Sequence, residues 1–285
     1  MKEKELHRGV VPFLNCKDHL VSDETYEIML NQEKEMLVTS PIPTDLEKYY
    51  NSEEYKSHHN SKKTFLNFIY NTVKKRSFKK KHTIFQNGTT DKTILDIGAG
   101  TGDFLKYCKD NNFKVTGIEP NEGARKQAKE NGILLHEKLE GVLGKKFDVI
   151  TMWHVLEHVP NLYEYLEHLK NLLKEDGKLI VAVPNFKSYD ANYYKEFWAA
   201  YDVPRHLWHF SKKSIYSLFG SVDLEVVKVH PMKYDSFYVS LLSEKYKTGK
   251  SNILKAFWIG WRSNVKAGKT KEYSSLIYEL KHTKN

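Results

Sequence analysis

The chain has 285 residues, 40% hydrophobic and 28% charged, a balance that fits a soluble globular protein and excludes a disordered one. Lys and Arg number 45 against 36 Asp and Glu, and the net charge of +9 favours either an anionic partner (nucleic acid, a phosphorylated metabolite or a membrane surface) or a solvated lysine surface. Two cysteines, Cys16 and Cys108, exclude a disulfide framework. No apolar run approaches a membrane span, and the N-terminus lacks the apolar stretch of a signal peptide, so a cytoplasmic location is expected.

Residues 1–45 read as an N-terminal extension with two short candidate strands, around Val10 to Leu14 and Tyr26 to Leu30, closed by Pro41 and Pro43. Residues 46–90 read as a helical cap and linker. Tyr49, Tyr50, Tyr55 and His58 make its first part aromatic and histidine-rich, and Phe65, Leu66, Phe68, Ile69 and Val73 then recur at helical spacing. The densest basic run, Lys74 to Lys81, falls in the linker.

From residue 91 to 285 strands and helices alternate. Thr93 to Ile97 is a strand, Gly98, Gly100 and Gly102 make a turn, and Phe104, Leu105, Tyr107 and Cys108 follow at helical spacing. Strand, glycine turn and helix start form the first unit of a nucleotide-binding α/β fold. Further strands are expected at Lys114 to Glu119, Ile133 to Leu135, Phe147 to Met152, Lys178 to Val183, Leu224 to Val229 and Tyr273 to Tyr278. Helices are expected after Pro120, from Asn161 to Leu173, from a Ser211 cap through Phe219, and from Ser236 to Tyr246. Asp176-Gly177 reads as the turn into the fifth strand, and the aromatic stretch after Pro184 as irregular. Near-continuous apolar strands between amphipathic helices indicate a parallel sheet covered on both faces.

The turn itself narrows the ligand. Its glycines follow Gly-x-Gly-x-Gly, where a dinucleotide site prefers Gly-x-Gly-x-x-Gly, and the Gly-Lys-Ser/Thr of a P-loop is absent. Glu119 ends the next strand about 20 residues on, where an acid can accept hydrogen bonds from both ribose hydroxyls.

Four features in order carry a family resemblance: Asp96-Ile97-Gly98-Ala99-Gly100-Thr101-Gly102; Glu119; Phe147-Asp148-Val149-Ile150 through Leu156-Glu157-His158-Val159; and Leu172-Leu173-Lys174 through Gly177-Lys178-Leu179. Over residues 45 to 280 the chain resembles the class I S-adenosylmethionine-dependent methyltransferases, of the small-molecule type found among ubiquinone and sugar methyltransferases. The resemblance implies an α/β, Rossmann-like three-layer sandwich. Its seven-stranded, mostly parallel sheet has the order 3-2-1-4-5-7-6, with the last strand antiparallel. It implies S-adenosylmethionine as cofactor and S-adenosylhomocysteine as product. It places Asp96, Gly98, Ala99, Gly100, Glu119, Pro120, Leu139, Glu140, Trp153, His154, Tyr50 and His58 around the cofactor.

On the acceptor side, Trp153-His154-Val155-Leu156-Glu157-His158-Val159 lies beyond the C-terminal end of a strand, where ligands of open α/β sheets sit. His158 is a candidate general base, and His154 and His206 are further catalytic candidates. The alternative is that Glu157 and His158 only tie the loop to the sheet. Pro204 to Phe210 brings a second histidine group, in which Arg205 is available to an acceptor carboxylate or phosphate. Glu157, His158 and His206 also resemble part of the metal site of small-RNA 2′-O-methyltransferases; that family has an acid where this chain has His154, so no metal is assigned. The N-terminal segment resembles a zinc knuckle without its ligands: Cys16 stands alone where two Cys-x-x-Cys pairs are needed, and no zinc is expected.

Three functions remain at this stage: methylation of a small molecule at oxygen, nitrogen or carbon; methylation of RNA or another nucleic acid, favoured by the charge; and cofactor binding without catalysis.

Overall fold

The computed structural model describes residues 5–50, 77–86 and 92–284. Tyr55, His58 and the helical pattern from Phe65 to Val73 lie outside the described residues. The N-terminal chain folds into three antiparallel strands, β1 (Val10–Lys17), β2 (Thr25–Asn31) and β3 (Met36–Ser40). In β2, Tyr26 and Ile28 turn inward while Thr25 and Glu27 stay exposed, the period of two that a half-buried strand requires. β3, which the sequence reading did not anticipate, is buried on both faces from Met36 to Thr39.

The linker expected before the core is instead helical over residues 77–85. Phe85 is fully buried against Phe104 and Phe113. The α/β alternation follows: β4 (Thr93–Ile97), α1 (Asp103–Asp110), β5 (Lys114–Ile118), α2 (Glu122–Glu130), β6 (Phe147–Trp153), α3 (Leu162–Leu172) and β7 (Leu173–Pro184). The chain continues through α4 (Tyr189–Tyr194), β8 (Trp208–His209), α5 (Lys212–Gly220), β9 (Leu224–Pro231), α6 (Asp235–Thr248), α7 (Ile253–Thr270) and β10 (Ser275–His282). Ser211 caps α5, its hydroxyl accepting the Ser214 N–H, as its position before the apolar run implies.

The central sheet has the order β5-β4-β6-β7-β10-β9. β4, β5, β6 and β7 run parallel, and β10 is antiparallel to both β7 and β9. This is the expected order with one edge strand missing. Ile133 to Leu135 does not form a ladder; a single parallel bridge joins Ile118 to His136. Ile133 is buried and Leu135 packs against the same core while Leu134 is 77% exposed, so the alternation of a strand is present although the pairing is reduced to that one bridge.

Asp176-Gly177 is not a turn before the fifth strand. β7 begins at Leu173, opposite Phe147, and the register then jumps to Val149 opposite Lys178, so these residues form an irregularity inside the strand. The aromatic stretch after Pro184 carries α4 and short 3-10 turns. α7, absent from the sequence reading, is the longest helix among the described residues.

Leu162, Leu166, Leu169 and Leu172 form one buried stripe of α3 against the sheet. Each such burial is worth roughly 1.5–3 kcal/mol. The second sheet, β1-β2-β3-β8, joins the N-terminal extension to residues Trp208 and His209 of the core chain. A buried cluster of Asp190, Ser263, Ser274 and Trp198 ties α4, α7 and the entry to β10 together, with Asp190 accepting from all three partners at 2.6 to 2.8 Å.

Candidate active site

At the C-terminal end of β4 the chain turns through Gly98 (φ +72°) and Gly100 (φ +54°), left-handed backbone that suits glycine. The N–H groups of Gly98 and Ala99 both donate to the Ile118 carbonyl at 2.9 Å, which locks the turn onto β5. The two glycines differ in what surrounds them. A Cβ on Gly98 would lie 2.4 Å from Val155 Cγ2, whereas one on Gly100 would meet nothing within 4 Å. Gly98 is closed by the loop after β6; Gly100 faces open space.

Glu119 reaches back to that turn. Its Oε2 accepts the Gly100 N–H at 2.8 Å and its Oε1 accepts the Asn121 N–H at 2.9 Å, so backbone fixes the carboxylate. Pro120 beside it is exposed. Asp96 is buried at the end of β4, where its Oδ1 accepts the Thr151 hydroxyl at 2.5 Å. Burial pushes its carboxyl up to about 7, against the pull of Thr151 and the Lys81 ammonium.

Trp153 stands edge-on to Phe104 with ring centroids 5.8 Å apart, and its buried Nε1 has no hydrogen-bond partner among the described residues. Lys81, from the helix at 77–85, holds its ammonium 4.1 Å from the centre of the Trp153 ring. Burial lowers its pKa, opposed by Asp96 and Asp235. Lys81 was read only as part of a basic run; its place over Trp153 is set by helix packing that no motif signals. Leu139, half-buried against the main core, and exposed Glu140 lie in a 3-10 turn (Leu139–Val142).

The loop after β6 leads from Trp153 to the histidines. His154 takes positive φ (+57°) and places its ring between two acids: Nε2 lies 3.0 Å from Asp235 Oδ2 and Nδ1 lies 3.3 Å from Glu157 Oε1. Burial works against its charge, but the Asp235 and Glu157 carboxylates prevail and raise it to about 10. Asp235 escaped the sequence reading because it lies 81 positions away with no motif around it.

Glu157 is buried, and neither carboxylate oxygen makes a hydrogen bond among the described residues. Burial opposes its ionisation, yet the surrounding histidines, His154 foremost, keep its pKa below the usual range. His158 Nδ1 lies 3.0 Å from the Arg205 carbonyl and 2.9 Å from the Tyr50 hydroxyl. A carbonyl only accepts, so Nδ1 carries the proton and Nε2 keeps its lone pair. Burial and the neighbouring His206 push His158 down to about 4, so it is neutral. His206 Nδ1 faces the Ala200 carbonyl at 2.9 Å in the same manner. Glu157, His158 and His206 bring one donor atom each within 4.8 Å of one another. One carboxylate and two imidazoles are donors that a divalent ion can use.

The structure thus brings His154, His158 and His206 together around Glu157. It groups Asp96, Gly98, Ala99, Gly100, Glu119 and Trp153 at the other end of the loop. Tyr50, expected at the cofactor, has its hydroxyl on His158 instead. Arg205, expected to be available to an acceptor, is buried in ion pairs with Asp18 at 2.9 Å and Asp202 at 2.7 Å, and so serves the fold. Cys16 is buried, with its thiol 3.4 Å from the Glu196 carbonyl.

A family model described as a methyltransferase domain matches residues 71–229, more than half of the chain. The chain belongs to the class I S-adenosylmethionine-dependent methyltransferases. Among curated relatives of this methyltransferase, a ubiquinone biosynthesis O-methyltransferase of Actinobacillus pleuropneumoniae serotype 5b (strain L20) is 37% identical over 113 residues, 35% of this chain and 48% of the relative. One of Rickettsia felis is 28% identical over 169 residues, 54% and 69% of the two chains. The chain spans about half the length of the first relatives it matches. Its fold is similar to that of the O-methyltransferase from a trans-AT PKS multienzyme of Brevibacillus brevis in complex with S-adenosylhomocysteine. The TM-score is 0.51 at 13% identity, over 76% of each chain. Coclaurine N-methyltransferase bound to N-methylheliamine and S-adenosylhomocysteine gives 0.50 at 14% identity, over 72% and 71%.

Proposed function

We propose that this methyltransferase transfers the methyl group of S-adenosylmethionine to a hydroxyl oxygen of a small molecule. The observation that carries the reading is the Glu119 carboxylate held by backbone at the rim of the open Gly100 turn, with Asp96 buried beneath. That donor set fits the cofactor: one acid for a ribose diol, one for an ammonium, and a partnerless indole N–H between them and the acceptor loop. The cofactor supplies an electrophilic methyl group on a sulfonium sulfur.

The chain's residues do the rest. Glu119 accepts the ribose hydroxyls with its remaining lone pairs, Leu139 and Glu140 flank the adenine, and Asp96 receives the ammonium. His158 Nε2 takes the acceptor proton, its ring aimed by the Arg205 carbonyl and the Tyr50 hydroxyl. Alignment of the reacting atoms supplies much of the acceleration in such a transfer. Oxygen as the accepting atom is supported by the relatives' name. Where a divalent cation is bound, Glu157, His158 and His206 would hold it, with His158 Nε2 as a ligand in place of its role as base, and it would supply Lewis acidity to the acceptor oxygen. Residues 91–285 form the catalytic domain in this reading, with 46–90 as its cap and 1–45 as an extension that braces His206.

Calorimetric titration with S-adenosylmethionine tests the cofactor site, and absence of binding would leave only the fold. Metabolite extracts with labelled cofactor test the acceptor. Labelled RNA in place of labelled small molecules would transfer the reading to a nucleic-acid enzyme, and strong salt dependence of RNA binding would accompany it. Full turnover after exhaustive chelation would exclude the cation.

A further inference from the structure

The helix pair α6–α7 is built inside out. The buried residues of α7 are Ala256, Ile259, Gly260, Ser263 and Ala267, all but one of them small. Those of α6 are Ser236, Ser240, Ser243 and Glu244. Gly260 lies so close to Phe237 that a Cβ there would come within 2.9 Å of the Phe237 Cα. The pair therefore packs through small and polar groups, with Ser236 donating to the Gly260 carbonyl and Ser263 to Asp190.

The large apolar side chains point the other way. Leu254 is 85% exposed, Phe257 61%, Trp258 53%, Trp261 44% and Val265 53%. Their spacing of three, one, three and four places them on one stripe of the helix. A helix facing water keeps its aromatics inside, and a contiguous exposed stripe of this kind marks an interaction surface.

Charge says what covers it. α7 contains no Asp or Glu. The two acids of α6 are engaged inward, Asp235 with His154 and Glu244, itself fully buried, with Lys255. Lys245, Lys247, Lys250, Arg262, Lys266 and Lys269 are exposed along the pair. A second copy of the same face would bring these cations together, which argues against self-association. Aromatic and aliphatic side chains flanked by lysine and arginine are the composition of a helix lying in the headgroup region of an anionic bilayer. No helix of the described residues is long and apolar enough to cross a membrane.

We propose that the exposed face of α7 docks on the surface of an anionic phospholipid bilayer, with Phe257, Trp258 and Trp261 entering the headgroup region and the surrounding lysines and arginines facing the lipid phosphates. The inference is independent of the methyl-transfer reading, because vesicle binding is measured without cofactor or acceptor.

The test is co-sedimentation of the full chain with vesicles of one part phosphatidylglycerol to two parts phosphatidylcholine, beside vesicles of phosphatidylcholine alone. Binding is expected to the anionic vesicles, to weaken at high salt, and to fall at least about tenfold in Trp258→Ser/Trp261→Ser and in Arg262→Glu/Lys269→Glu. In the unaltered chain, dibrominated phosphatidylglycerol should quench tryptophan emission, which keeps the test decisive if a variant misfolds. Three results would overturn the proposal. These are no binding at low salt, binding unchanged in the folded tryptophan variant, or a solution dimer that this variant dissociates while vesicles are ignored.

Discussion

His154 Nε2 lies 3.0 Å from Asp235 Oδ2, so the loop after β6 and the first residue of α6 meet in one charged contact. Asn at 235 keeps a polar partner but removes the charge that holds the imidazolium. Both groups are partly exposed, so Asp235→Asn should cost about 1 kcal/mol of stability. Turnover should fall by more, about tenfold, because His154 and Glu157 then lose their fixed geometry. Denaturant unfolding and steady-state turnover read the two effects separately.

The two glycines of the turn after β4 should respond differently to alanine. Gly98→Ala places a methyl against Val155 and strains a left-handed backbone, and the expected loss is about 2–4 kcal/mol, seen as a lower denaturation midpoint. Gly100→Ala meets no atom, so its stability loss should stay near 1 kcal/mol. Its methyl enters the space proposed for cofactor, and calorimetry should show affinity falling about tenfold or more.

Glu119 offers a charged acceptor in the same place. Loss of hydrogen bonds to a charged group costs about 1.5–3 kcal/mol. Glu119→Ala should therefore weaken S-adenosylmethionine binding by roughly ten- to hundredfold. Equal affinity in the folded variant would remove the ribose assignment.

Acid stability should trace in part to Asp148. Its Oδ2 accepts from the Thr93 N–H at 2.8 Å, the Thr93 hydroxyl at 2.6 Å and Lys174 Nζ at 2.8 Å, clasping β4 to β6 and β7. Burial raises its pKa, but Lys174 and Thr93 outweigh it and bring the carboxyl down to about 2. Folding thus favours the ionised form. The stabilisation is complete above about pH 4, the unfolded value, and is lost as pH falls toward 2. Asp148→Asn should lower stability at neutral pH and flatten the acid limb of the stability curve measured by denaturant unfolding.

Thr39 holds His206 and His209 from outside the central sheet. Its hydroxyl donates to the His206 carbonyl at 2.6 Å and lies 3.1 Å from His209 Nε2. Its N–H donates to the Leu207 carbonyl at 3.0 Å. Thr39→Val keeps the shape and the backbone bond and removes the hydroxyl, at a cost of about 1–2 kcal/mol. Turnover should fall while cofactor affinity stays unchanged, because His206 lies at the far end of the loop from Gly100.

The parts legible in the sequence were those carried by neighbours in the chain. Apolar runs marked most strands, Ser211 marked its helix, and the glycine spacing marked the turn between β4 and α1. Ile133 to Leu135 has the residues and the alternation of a strand, but its backbone joins the sheet only at His136. α7 was passed over although Leu254, Phe257, Trp258, Trp261 and Val265 recur at helical spacing; that this stripe faces outward is visible only in the structure.

What the sequence determined by itself is the α/β order and the glycine turn after β4, since both depend on residues close together along the chain. The tertiary structure decided which distant groups meet: Lys81 over Trp153, Asp235 on His154, Thr39 behind His206, and Arg205 turned inward to Asp18. Those contacts join segments tens to nearly two hundred residues apart. Only the packing of the two sheets and their helices onto each other brings them together, and no local pattern of residue types encodes that distance.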